Sequence, residues 1–320
     1  MKTKILVTGA VGQIGSELTM ALRKEYGGEN IIAAGHHKKP SEELLNSGPF
    51  EFIEVTNYDE VEAAIKKYDI KTIFHLAAIL SAVGESKPQL AWAINVNGLA
   101  VILEIARNYN CSVFTPSSIG AFGPSTPKDA TPQDTIQRPT SMYGVTKVSG
   151  ELLCDYYNLK FGVDTRGVRY PGLISYVAPP GGGTTDYAVD IYYKALQDKK
   201  YECFLRKDTR LDMMYMPDGL KAAIDIMDAD PAKLIHRNAF NVTAMNFTPE
   251  ELAREIKKFI PEFEITYKVD PVRQAIADSW PNSMDDSAAT EEWGWKPDYG
   301  VEKMTEDMLK NLSKKLNIDI

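Results

Sequence analysis

The chain has 320 residues, 44% of them hydrophobic and 25% charged, the balance of a globular protein rather than a disordered one. Its 36 Lys+Arg against 44 Asp+Glu leave a net charge of −8, so no basic field is available for a nucleic-acid backbone. Cys111, Cys154 and Cys203 are odd in number and far apart, and His36, His37, His75 and His236 show no ligand spacing with them, which argues against a disulfide framework and against a zinc site. No segment reads as the roughly 20 apolar residues that span a bilayer. Met1 to Ile5 lead straight into a short apolar run without a signal-peptide core. A cytoplasmic protein that works without a metal and without a membrane partner is the expectation.

Through the first half, short apolar runs alternate with amphipathic stretches. Strands are predicted at 4–8, 30–34, 51–55, 72–76, 112–115 and 163–169, with helices at 14–26, 58–68, 90–109 and 141–161. Six strands in such alternation predict an α/β fold with a doubly wound parallel sheet of the Rossmann kind, since the eight repeats of a barrel cannot be counted. After Pro171 the texture loosens. A breaker cluster at 179–183 precedes a predicted helix at 184–197, an apolar run at 240–242, a helix at 249–259 and a strand at 264–269. Residues 1–170 therefore read as a dinucleotide-binding domain, and 171–320 as a smaller α+β substrate lobe, some of whose segments return to the main sheet.

Gly9-Ala10-Val11-Gly12-Gln13-Ile14-Gly15 lies between the first strand and the first helix. Glycines there let the backbone turn tightly and approach a pyrophosphate, which sits on the free amides of a helix N-terminus. At the end of the second strand, where a carboxylate ordinarily takes the ribose hydroxyls, the chain runs Gly35-His36-His37-Lys38-Lys39. That leaves two readings open: room and positive charge for a 2′-phosphate, or a solvated loop. Glu54, at the end of the third strand, is a candidate acceptor for the adenine amino group.

Tyr143 and Lys147 fall one turn apart at the start of a predicted helix. An ammonium beside a phenol favours the phenolate, which can then take a proton from a substrate hydroxyl. Ser118 follows the fifth strand, where its hydroxyl can hold the substrate oxygen or merely cap a turn.

Strand, G-x-x-G-x-x-G, helix, strand-end serine and Tyr-x-x-x-Lys in this order resemble the extended short-chain dehydrogenase/reductase superfamily over nearly the whole chain. His75-Leu76-Ala77-Ala78, Asn95-Val96-Asn97-Gly98 and Arg169-Tyr170-Pro171-Gly172 are further marks of it. The resemblance implies that Lys147 also holds the nicotinamide ribose and that Asn95 positions a water in the proton path. It also implies that Val55, Leu76, Ala77, Ala78, Pro116 and Tyr170 line the cofactor's path. Asn95 reads equally as a helix-internal polar residue bonded to backbone. Dehydratases of the superfamily carry an acid pair where this chain has Ile119 and Gly120, so water elimination lacks its general acid; a nucleotide-sugar 4-epimerase stays open, and so does a non-catalytic dinucleotide sensor.

The second half narrows the resemblance. Pro171-Gly172-Leu173-Ile174-Ser175, Gly183-Thr184-Thr185-Asp186-Tyr187 with the glycines before it, Met213-Met214-Tyr215-Met216 and Ala277-Asp278-Ser279-Trp280-Pro281 look closely like the short-chain family of L-threonine 3-dehydrogenases. This implies L-threonine as substrate, NAD as cofactor and a homodimer formed through helices 90–109 and 141–161, with Trp92, Leu99, Leu103, Leu152 and Tyr156 as candidate contacts. Those enzymes usually carry an acid near Gly35, so NADP is not excluded. Ser81, Thr185 and the Gly183 amide are candidate donors to the substrate carboxylate, and Asp186 is a candidate acceptor for its ammonium. Residues 184–186 also read as a helix cap, and Trp280 as either a lid or a core aromatic.

Overall fold

The computed structural model describes residues 4–178 and 183–319, so the expected breaker lies, but for Gly183, outside them. The first half runs β1 (Ile5–Thr8), α1 (Gln13–Tyr26), β2 (Ile31–Gly35), α2 (Glu42–Asn46), β3 (Phe50–Phe52), α3 (Tyr58–Tyr68), β4 (Thr72–His75), α4 (Ser81–Ser86), α5 (Pro88–Trp92), α6 (Gly98–Tyr109), β5 (Ser112–Phe114), β6 (Ser117–Ser118) and α7 (Met142–Phe161). It continues through β7 (Thr165–Arg166), β8 (Val168–Tyr170), β9 (Gly172–Ile174), α8 (Tyr187–Gln197), β10 (Lys200–Cys203), β11 (Leu211–Tyr215) and α9 (Met216–Asp228). The last part holds β12 (Phe240–Asn241), β13 (Met245–Phe247), α10 (Pro249–Lys257), β14 (Glu264–Tyr267), α11 (Pro271–Ser279), α12 (Ser287–Trp293) and α13 (Val301–Leu316).

The central sheet is six-stranded and parallel, ordered β3-β2-β1-β4-β5-β7. Every residue of β1, β2 and β4 is buried, as a parallel sheet covered on both faces requires. On one face Leu18 and Leu22 of α1 pack with Ala222 and Ile226 of α9 and with Trp295; on the other lie Val61 and Ile65 of α3, Ile102 and Leu103 of α6, and Cys154 of α7. The strand order reverses between β1 and β4, and the C-terminal crevice at that switch point is where ligands of such sheets bind.

The strand predicted at 163–169 is two strands. It breaks at Gly167, whose carbonyl accepts from Phe240 N at 3.0 Å; β7 stays in the main sheet while β8 pairs with β6 and β12. A strand from the second half thus joins the pair that prolongs the main sheet. Beyond it, β9 pairs with β11 and β11 with β13, β10 pairs with β14, and α8, α10 and α13 enclose a separate core around Tyr192, Leu252 and Met308.

The helix predicted at 90–109 starts at Pro88 and contains a π turn at Ala93–Asn97. Contrary to the sequence expectation, this helix, Pro88–Tyr109, is long and apolar enough by length and composition to cross a membrane; half of its apolar window is buried inside the protein, in the core shared with α3 and α7. Leu99 and Leu103 belong to that core, whereas Trp92, Leu152 and Tyr156 are exposed.

Candidate active site

Gly9 has φ +70°, and a Cβ on it would stand 2.6 Å from the Ala77 amide, so the turn after β1 lies against the chain leaving β4. Gly15, in the first turn of α1, rests on the Gly9 carbonyl, where a Cβ would collide. This draws the helix onto the turn. Among the described residues no side chain caps α1 at Gly12, and its first turn carries no acid, so the amides of Gln13, Ile14 and Gly15 present an uncapped N-terminus to an anion. A cleft of about 340 Å³ runs from there along Val11, Gly35, His36, Glu54 and Val55 to Leu76, Ala77 and Ala78. Gln13 lines a neighbouring groove of about 790 Å³ between α1 and residues 175–178. The Ile14 side chain packs into the core. Tyr170 departs from expectation: its ring is buried beneath α9 and its hydroxyl donates to Gly219 O at 2.5 Å, so the side chain faces the core and not the cofactor's path.

In the cleft, His36 Nε2 stands 3.1 Å from Glu54 Oε2, and Lys38 Nζ donates to Val11 O at 3.2 Å. Burial raises the Glu54 carboxyl, but hydrogen bonds from the Thr56 amide and hydroxyl and the charges of His36 and His37 outweigh it and hold the group below its ordinary value. Glu54 is therefore an anion in the cleft.

Helix α7 is anchored before the turn that carries Tyr143 and Lys147. The Ser141 hydroxyl accepts from Gly144 N at 3.1 Å, and Glu85 of α4 accepts from Met142 N at 2.6 Å. A Cβ on Gly144 would collide with Gly120 O, so α7 rests directly on the turn after β6. There Ser118 Oγ accepts from Gly120 N at 3.1 Å and caps the 3₁₀ turn Ile119–Ala121. The capping role leaves its hydroxyl hydrogen available, because the cap uses the oxygen only as acceptor. A Cβ on Gly120 would lie 3.2 Å from the Tyr143 ring and 3.5 Å from Ser118 Oγ, so ring and hydroxyl flank the same glycine. Lys147 Nζ donates to Pro116 O at 2.7 Å and stands 5.4 Å from the Tyr143 ring centroid. Ser118, Tyr143, Lys147 and Pro116 thus converge.

Asn95 sits in the π turn, a distortion that recurs at functional sites. Its Oδ1 accepts from Ile79 N at 2.7 Å, and its Nδ2 donates to Ile79 O and to Thr146 Oγ1, both at 3.0 Å. The backbone-bonded reading is the one the side chain follows: it fastens the segment after β4 to α7.

Among the residues expected to meet a substrate, Trp280 is half-buried against Ile119, Phe122 and Met284, beside the Ser118 turn. It ends α11, which packs on the turn Thr184–Asp186, and Thr185 lies against Gly172 of β9. Ser81 opens α4, which packs on α7, with Gly84 opposite Tyr143. Gly183 N donates to Asp186 Oδ2 at 2.7 Å, the helix-capping arrangement. That amide has only one hydrogen, so in this structure it does not serve a substrate carboxylate, and Asp186 is occupied in part by the cap.

Residues 5–242 match the family described as NAD dependent epimerase/dehydratase. The chain belongs to that family. It is 62% identical to the crystal structure of an L-threonine dehydrogenase from Clostridium difficile, with 98% of each chain covered and a TM-score of 0.96. It is 46% identical to a monomeric L-threonine 3-dehydrogenase from a metagenome, covering 98% of this chain and 99% of that one, with a TM-score of 0.92. A curated relative from Staphylococcus haemolyticus, described as an uncharacterized epimerase/dehydratase, is 53% identical over 312 residues, 98% of each chain.

The residues of this family member fit a nicotinamide dinucleotide: an uncapped helix N-terminus, a turn that admits no Cβ at Gly9, a long cleft, and Lys147 in a small cavity that shares Ala77 and Ala78 with the cleft. Sequence reasoning did not pick out Glu85, Thr146 or Asn238, the last lining the small cavity at Lys147 and donating through its side-chain amide to Asp155 of α7. Thr146 Oγ1 donates to Tyr143 O at 2.8 Å, a bond its place three residues on could have signalled. Glu85 and Asn238 lie in segments remote from α7 along the chain, and nothing local marks them.

Proposed function

We propose that the protein oxidises the β-hydroxyl of L-threonine to 2-amino-3-oxobutanoate, with NAD as hydride acceptor. The convergence of Ser118, Tyr143 and Lys147 carries the reading, and the likeness to the threonine dehydrogenase from C. difficile supplies the substrate. Ser118 donates its free hydroxyl hydrogen to the substrate oxygen, and Tyr143, with the Lys147 ammonium beside its ring, removes the hydroxyl proton. Lys147 is held at the base of the site by Pro116. When bound, the cofactor supplies the acceptor for the hydrogen on the same carbon. Ser81 and Thr185 supply hydroxyl donors to the carboxylate, and Trp280 excludes water from one side. Residues 1–170 hold the cofactor, and residues 171–320 supply the lobe over the substrate.

NAD is favoured over NADP by Glu54: a 2′-phosphate would meet an anion in the cleft, and His36 and Lys38 already have partners there. A homodimer is favoured by Leu152, Tyr156 and Leu159, exposed at one-face spacing on α7, and by Leu90 and Trp92, exposed on α5, which packs on α7. Light scattering that returns a monomer mass would remove it.

The deciding experiment follows absorbance at the reduced-nicotinamide band with threonine and each cofactor. A threonine-dependent rise, larger kcat/KM with NAD and a loss of about a thousandfold in kcat for Tyr143→Phe are expected. No rise with either cofactor sinks the reading, and turnover of a UDP-sugar in its place would favour epimerisation.

A further inference from the structure

Beside Lys147 lies a small cavity of about 30 Å³, lined by His75, Asn95, Pro116, Thr146, Lys147 and Glu151 among others. The informative wall is His75. Its ring is buried, Nδ1 lies 2.9 Å from Thr8 Oγ1, and Nε2 has no hydrogen-bond partner among the described residues. Neither tautomer relieves this. If Nδ1 accepts from the threonine hydroxyl, Nε2 carries a hydrogen in need of an acceptor; if Nδ1 donates, Nε2 needs a donor. A bare polar atom in the interior costs about 1–3 kcal/mol, and such atoms are matched by protein or by internal water. A water needs roughly 10–15 Å³ and several polar partners, so this cavity has room for about two.

We infer that His75 is a positioning residue of the proton path, its Nε2 holding an internal water beside Lys147. Asn95, to which family resemblance gives that water, spends its side chain on Ile79 and Thr146. Each oxidation leaves one proton on Tyr143. That proton passes by way of Lys147 to the held water, phenolate and ammonium are restored, and one proton leaves for each substrate oxidised. His75 orients the water without carrying the proton, because burial, and then the Lys147 charge, push its imidazole down to about 3. The charged groups around it are Lys147 and Glu151 of α7, the latter paired with Arg169 of β8 at 2.9 Å; Thr8 of β1 and Asn95 are neutral.

The inference rests on the dehydrogenase reading of the same site, so its test has two arms. A crystal structure of the wild-type protein, fine enough to show ordered water, is expected to place one within about 3 Å of Nε2; a bare Nε2 overturns the inference whatever the substrate. In the kinetic arm, His75→Leu is expected to lower kcat about tenfold and to move the acid limb of its pH profile upward, with the solvent isotope effect enlarged and NAD affinity kept. His75→Asn and His75→Gln, which can still bond a water, recover most of this. A His75→Leu enzyme with the wild-type profile, or one losing kcat equally at every pH, overturns the inference. If wild-type protein fails to turn over threonine, it is the dehydrogenase reading that falls, and the water arm still decides His75.

Discussion

At Gly12 the chain enters α1 with no side chain capping the first turn, whereas at Gly183 it enters the turn before α8 with the Asp186 carboxylate on the glycine's own amide. Both places read alike along the sequence, as glycine followed by a helix. They differ in what is within reach. After Gly12 come Gln13, Ile14 and Gly15, none of which offers a carboxylate, and the amides stay open to a ligand. After Gly183, Asp186 lies three residues on, where an N-terminal acid folds back onto the first amide. A third helix start, at Ser141, is closed twice, by its own hydroxyl and by Glu85 from another helix. A helix N-terminus serves as an anion site only where the chain withholds its own anions.

The largest expected break in this contrast comes from Gly15→Val. Its side chain would collide with Gly9 O and push α1 off the turn. Overpacking of about 3 kcal/mol corresponds to NAD binding weakened by about a hundredfold in titration calorimetry, with the fold retained. Unchanged affinity would show that the turn's closeness does not make the site.

A smaller effect concerns Asp212, a carboxylate with too few donors for its burial. Burial pushes it up to about 7, against bonds from the Thr243 hydroxyl and the Met284 and Met213 amides. Unfolded, it titrates near 3.8. Between about pH 4 and 7 the folded state holds a proton that the unfolded state has lost, so stability falls as pH rises through that window. Asp212→Asn, whose Oδ1 can still accept from the Met284 amide while its Nδ2 donates to the Thr243 hydroxyl oxygen, is expected to raise Tm at pH 8 and to change it little at pH 4. A Tm gap independent of pH would refute the assignment.

Smallest is Asp186→Ala, which frees the Gly183 amide at a cost of about 1 kcal/mol, typical of a lost cap. A lower Tm with little change in KM for threonine is the expected result. A KM raised tenfold or more at unchanged Tm would mean that the carboxylate serves the substrate ammonium instead.

How far the sequence could be read varied by region for physical reasons. Helix α3 falls where its apolar periodicity and its Asn57 cap put it. Strand β3 ends early, at Phe52, because the Glu54 amide bonds the Glu60 carboxylate and leaves the ladder. Strand β11, Leu-Asp-Met-Met-Tyr, escaped notice because it is buried on both faces and so shows no alternation. The Tyr143/Lys147 pair was legible from helical spacing. The occupation of Asn95 by Ile79 and Thr146 was not, since those partners are set by how the segment after β4 and α7 meet.

By itself the sequence determined the alternating strands and helices, the glycine turn after β1, and which residue types stand one helical turn apart, because all of these are local properties of the backbone and of side-chain period. The tertiary structure decided which of those groups are still free to act. It closed the Gly183 amide, turned Tyr170 into the core, set Glu54 against His36, and gave His75 Nε2 no partner among the described residues, beside the cavity at Lys147. Hydrogen-bond partners are chosen by proximity in space, and a polar group already satisfied by a distant part of the chain has nothing left to offer a ligand.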